Sequence, residues 1–147
     1  MEHEVLSIMV LLVMLGLLVL VGVLLFRTFR LLYEGERAPK ASLLVGYLAT
    51  AYGLLIFAFA GVYRVIFHYN RESFFFSNNM PAFDNSDVTL FYFSITTITT
   101  TGYGDIHPQS EIAMAVAMVE MLSGYFMTVI FFSVIAGLAF KKAGRNE

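Results

Sequence analysis

Hydrophobic positions fall into three long runs divided by polar segments. Residues 5–26 are 22 consecutive positions without a charge, residues 41–63 are 23 without a charge, and residues 112–140 are 29 with one charge, Glu120. Each exceeds the ~20 residues that carry a helix across a hydrocarbon core of about 30 Å. The third run is about 43 Å long at ~1.5 Å per residue, so it tilts or extends past the membrane. Before it lies a shorter apolar, hydroxyl-rich stretch, residues 88–99, about 18 Å as a helix. That is too short to span, and predicts a re-entrant helix that stops mid-membrane.

Composition agrees with an all-α membrane protein. Hydrophobic residues make up 59% of the chain and charged residues 14%, against nearly a quarter charged in soluble domains. A net charge of −2 provides no basic footprint for nucleic acid. The chain has no Cys and three His without HExxH spacing, which removes disulfides, thiolate metal sites and zinc-protease chemistry. The acidic start, Met1-Glu2-His3-Glu4, has no basic n-region and no A-x-A site follows, so no cleaved signal peptide is predicted.

Orientation follows from Lys and Arg. Arg27, Arg30, Arg37 and Lys40 lie between the first two runs, Lys141, Lys142 and Arg145 in the tail, and the segment from about His68 to Glu111 has Arg71. Seven against one puts the first link and the C-terminus in the cytoplasm and the N-terminus outside a cell membrane. Arg27 and Arg30 are three apart with no third repeat, unlike the Arg-rich series of a voltage sensor. The short tail predicts no C-terminal ligand-binding domain.

In the outer segment, Phe74-Phe75-Phe76 and Asn78-Asn79-Met80-Pro81 read as a loop. Asp84-Asn85-Ser86-Asp87 reads as a helix start, where acidic groups suit the dipole. After the short helix comes Thr100-Thr101-Gly102-Tyr103-Gly104-Asp105. Irregular backbone at membrane depth is tolerated where protein surrounds it or it lines a watery path. Glycines 102 and 104 permit positive φ, so successive carbonyls can turn to one side and replace an ion's hydration shell.

T-T-G-Y-G-D after a short hydroxyl-rich helix and between two spans resembles the selectivity filter of the tetrameric potassium channel pore family. The resemblance covers about residues 41–140. It implies an outer helix 41–67, turret 68–86, pore helix 87–99, filter 100–104 and inner helix 110–141. Residues 1–40 form an additional N-terminal span and link. The working unit it implies is a homotetramer, with three transmembrane helices and one re-entrant helix per chain. Potassium ions would sit on Thr100, Thr101, Gly102, Tyr103 and Gly104 of four chains, with no other cofactor. The other readings are a non-conducting modulatory subunit and a membrane-embedded enzyme; no nucleophile–base pair or metal cluster favours the enzyme.

The family pattern also assigns supporting roles. Tyr103 should pack behind the filter against Tyr92 and Phe93. Asp105 at the mouth often ties the filter to its pore helix, but the family's acidic partner is replaced here by Thr96, which predicts a weaker tie. Thr101 stands where Val or Ile is usual, and its hydroxyl needs a partner such as Thr96, Thr97 or Thr99. Gly124 matches the family's bending glycine, with a close helix contact as the other reading. Alignment puts Thr128, Phe132 and Ala136 on a pore-facing stripe, where Phe132 is either a dewetting constriction or a lipid-facing ring. Gly137 reads as packing or fraying.

Glu120, the one ionisable residue deep in the third run, is read as a buried carboxyl behind the filter, bonded to pore-helix threonines. His107 reads as a surface histidine at the mouth, with titration near neutral pH as the sharper alternative. Gly46, Gly53 and Ala60 form a small-residue stripe suited to another helix. The first run, mainly Leu, Val and Met, reads as peripheral and lipid-facing.

Overall fold

The computed structural model describes residues 41–77 and 87–143, together with positions 5, 8, 12, 13, 15, 16, 19, 20, 22, 23, 26, 27 and 30. The latter are all helical and, by side chain, exposed. Residues 78–86, with the expected loop at Asn78–Pro81 and helix start at Asp84, lie outside the described residues. So do residues 31–40 and the last four residues.

Three helices organise the rest: α1 (Ala41–Tyr69), α2 (Asp87–Ile98) and α3 (Glu111–Ala143). Of these, α1 and α3 contain the segments long and apolar enough to cross a membrane, Leu44–Tyr69 and Glu111–Gly137. Neither contains proline, so no backbone donor is missing from their ladders. Helix α1 ends before Asn70, whose side chain accepts from the Glu72 N–H at 3.0 Å and opens a 3₁₀ turn, Arg71–Ser73. Helix α3 is capped at its start by Ser110, whose Oγ accepts from the Ala113 N–H at 3.2 Å. Such a cap contributes about 1 kcal/mol.

Phe74–Phe76 is not a loop. It forms strand β1 and pairs antiparallel with β2 (Ile106–Pro108), Phe75 opposite His107. The pairing continues through Ser77 N–H to the Asp105 carbonyl and Gln109 N–H to the Ser73 carbonyl. The segment after α1 is thereby fastened to the segment after the T-T-G-Y-G run.

The core lies where α2 wedges between the two long helices. Helix α1 buries Leu44, Leu48, Ala51, Leu55, Phe59, Val62 and Ile66, and α3 buries Ala113, Val116, Ala117, Glu120, Gly124, Met127 and Val134. Spacings of three and four place each set on one helix face. At the outer end Tyr63, Phe74 and Phe93 make mutual edge-to-face contacts, with centroids 4.9–5.6 Å apart, and Phe67 leans on Phe74 at 6.4 Å. At the other end Leu44, Leu48 and Val134 close the two long helices together.

Among the described residues nothing lies within 4 Å of where a Cβ at Gly46 or Gly53 would stand, so the small-residue stripe with Ala60 has no close helix neighbour there. The expected outer helix 41–67 extends two residues further, to Tyr69, and carries Arg64, which is exposed. Counting Arg64, the basic residues divide seven to two between the first link with the tail and the stretch from the end of α1 to the start of α3.

Candidate ion pathway

The T-T-G-Y-G run begins as the end of α2. The Thr100 N–H donates to the Thr97 carbonyl and the Thr101 N–H to the Thr96 carbonyl, both at 2.9 Å, with Thr100 at φ 56°. These bonds make a Schellman cap, in which glycine usually holds the left-handed position. A β-branched residue there is strained by about 1–3 kcal/mol. The Gly102 N–H reaches the same Thr96 carbonyl at 3.1 Å. Thr96 thus supports the loop through its backbone, while its hydroxyl turns back to the Phe93 carbonyl at 3.0 Å.

Beyond the cap, Gly102 and Gly104 take φ 50° and 79°, and neither Thr101 nor Tyr103 has positive φ. In an ordinary strand successive carbonyls point to opposite sides. Alternating the sign of φ turns every second peptide over, so that carbonyls gather on one side. The expectation of positive φ at the glycines is met, and Thr100 extends the alternation by one residue. Thr99 through Gly104 are exposed, so this edge of the chain is open.

Behind the open edge, hydroxyls and rings brace the loop. Thr99 Oγ1 donates to the Ile95 carbonyl at 2.6 Å and lies 2.9 Å from Thr101 Oγ1. With the Thr99 proton committed, Thr101 is the donor. The unusual threonine therefore has one of the partners foreseen for it. Tyr92 does two things: its ring stacks on Tyr103 (6.3 Å, 4° between planes), and its Oη donates to Asp105 Oδ2 at 2.7 Å. The Asp105 tie to the short helix is thus made by Tyr92 and not by residue 96. Asp105 Oδ1 also accepts from the Ile106 N–H at 3.0 Å. Phe93 does not brace Tyr103; it belongs to the core with Tyr63 and Phe74. Tyr103 itself is 70% exposed. His107 stacks on Phe75 at 4.7 Å.

Glu120 is fully buried, as expected, but its partners differ. Tyr63 Oη of α1 donates to Oε2 at 2.5 Å, and Ser94 Oγ of α2 lies 2.5 Å from Oε1. The pore-helix hydroxyl is a serine, not a threonine. Neither Tyr63 nor Ser94 carries a motif that would have singled it out. Tyr52, also unflagged, donates to the Ile98 carbonyl at the end of α2, at 3.2 Å.

Gly124 is a contact residue. A Cβ there would fall on the Ile98 carbonyl oxygen and come within 2.8 Å of Ile98 Cγ1. This carries the close-contact reading, and α3 runs through Gly124 without interruption. Farther along, Thr128 Oγ1 donates to the Gly124 carbonyl at 2.9 Å. Thr128, Phe132 and Ala136 are all exposed, Phe132 by 66%, while Phe131 packs against Leu44, Leu48 and Val134. A Cβ at Gly137 would meet nothing within 4 Å.

Residues 51–141 match the family model described as "Ion channel". The chain belongs to the ion channel family. A further protein is similar in sequence: the voltage-gated potassium channel Kch of Escherichia coli strain K12 is 37% identical over 87 residues, 56% of this chain. The match spans about a fifth (21%) of that protein's length. The matched family region takes in most of α1, the short helix, the T-T-G-Y-G-D loop and nearly all of α3. The features assembled above therefore lie within the channel portion of the chain.

Proposed function

We propose that this chain is one quarter of a potassium-selective channel, a homotetramer whose four T-T-G-Y-G loops surround a fourfold axis. The observation that carries the reading is the alternating sign of φ through Thr100, Gly102 and Gly104 on an exposed edge. It suits carbonyls of Thr100, Thr101, Gly102, Tyr103 and Gly104 to dehydrating a cation, with the Thr100 hydroxyl at the inner end. Similarity to a potassium channel supports potassium as that cation. Two ions about 7 Å apart in the filter repel by roughly 2.4 kcal/mol at an effective dielectric of ~20. This offsets much of each site's attraction and keeps flow fast.

Assembly follows from what one chain leaves open. Met114, Met118 and Met121 of α3 line a cavity of about 350 Å³ together with Thr100, Gly102 and Gly104. Along the same helix Leu122, Tyr125 and Phe126 are exposed. A second copy covers such a face by closed symmetry. In the full reading the N-terminal run is a third span, with the N-terminus outside and the C-terminus in the cytoplasm.

Passive conduction, and not catalysis, is the activity that fits. Ion flux into liposomes holding the purified chain alone tests it. Potassium uptake abolished by Gly102→Ala supports the channel reading. Absence of flux, with flux restored only when another channel subunit is added, favours the modulatory subunit instead.

A further inference from the structure

Ser94 Oγ touches two oxygens. It lies 2.9 Å from the Ile56 carbonyl of α1 and 2.5 Å from Glu120 Oε1 of α3. A hydroxyl has one proton to give, and a carbonyl only accepts. The contact with Ile56 therefore takes the Ser94 proton. The contact with Oε1 then needs a proton from the other side, and Oε1 is the atom that must carry it. Oε2 is served by the Tyr63 phenol.

We propose that Glu120 is held as a neutral carboxylic acid within a directed hydrogen-bond chain. Glu120 Oε1–H donates to Ser94 Oγ, Ser94 donates to the Ile56 carbonyl, and Tyr63 donates to Oε2. The chain fixes the short helix to both long helices, and makes Ser94, Tyr63 and Glu120 positioning residues for the loop that α2 carries. A carboxylate would draw the Ser94 proton to itself and leave the Ile56 carbonyl facing a lone pair.

The surroundings agree. Glu120 has no exposed surface, and a buried charge needs a partner charge. From α1 it is faced by Tyr63; the Tyr52 hydroxyl of the same helix is spent on the Ile98 carbonyl. Arg64, next to Tyr63, is exposed. From α2 its partner is Ser94, and α3 has no Lys or Arg between Glu111 and Phe140. Among the described residues no buried side-chain nitrogen or oxygen lacks a partner.

The hydrogen-bond state is independent of the proposed function; only its effect on conduction rests on that reading. Infrared spectra of the protein in bilayers at neutral pH read the state directly. The parent-minus-Glu120→Gln difference should show the carbonyl stretch of a neutral acid that shifts in deuterium oxide. A difference showing only a lost carboxylate stretch overturns the proposal.

Thermal unfolding supplies a second readout. A Gln amide donates to Ser94 and accepts from Tyr63 as the neutral acid does, so Glu120→Gln should keep the parent midpoint while Glu120→Val and Ser94→Ala lower it. A Gln midpoint as low as that of Val overturns the proposal, because a donor is tolerated at Oε1 only if one is already there.

Discussion

Gly124 of the inner helix lies against the Ile98 carbonyl at the end of the short helix, so closely that even a methyl group has no room. Tyr52 approaches that carbonyl through its hydroxyl. The last turn before the T-T-G-Y-G loop is thus held by a hydrogen bond from one long helix and by backbone contact with the other.

Gly124→Ala should therefore displace the two helices. Overpacking of a filled site costs about 1–3 kcal/mol, here at the base of the loop. The proposed tetramer should dissociate at lower temperature and conduct less, and Gly124→Val should be worse. Gly137→Ala, where a Cβ meets nothing, should leave both properties unchanged. Thermal dissociation on a detergent gel, with flux from the same preparations, checks all three.

Tyr92→Phe removes the hydroxyl that holds Asp105 and keeps the ring that stacks on Tyr103. Hydrogen bonds to charged groups contribute about 1.5–3 kcal/mol. The outer mouth should loosen, seen as faster decay of current under sustained opening, with assembly retained. Thr96→Val should not reproduce it, because the Thr96 hydroxyl is spent on the Phe93 carbonyl.

Thr101→Val introduces the residue type that the potassium-channel resemblance leads one to expect at this position. It deletes one donor, and the Thr99 hydroxyl keeps its bond to the Ile95 carbonyl. The loss is about 1 kcal/mol or less, and ion preference should be unchanged. A changed permeability ratio in single-channel recording would show that the Thr101 side chain reaches the ions.

Helix lengths and the position of the loop were legible in the sequence because they follow from uncharged runs and from two glycines that permit positive φ. The supporting contacts were not. Tyr92 reaches Asp105 across thirteen residues, a pairing that depends on how the loop folds back over α2. Ser94 and Tyr63 meet Glu120 only because α2 enters between the long helices, a relation no local pattern encodes. Thr100 at positive φ runs against its own preference, so residue type argued for the opposite conformation. Phe74–Phe76 looked like a loop because three residues are too few to show alternation, and its partner strand lies thirty residues away.

The chain contains no Cys, so a single introduced thiol reports topology cleanly. An impermeant reagent applied outside should label Glu2→Cys and leave Gly35→Cys untouched. The reverse pattern would overturn the orientation drawn from the basic residues, and with it the side from which the loop is entered.

In the proposed function the T-T-G-Y-G backbone selects potassium. The most direct measurement is the reversal potential of the purified protein in planar bilayers, with potassium on one side and sodium on the other. Reversal should lie far toward potassium permeation, with current lost in Gly102→Ala, since alanine tolerates positive φ poorly. Reversal near zero, or undiminished current in the Gly102 variant, would contradict it.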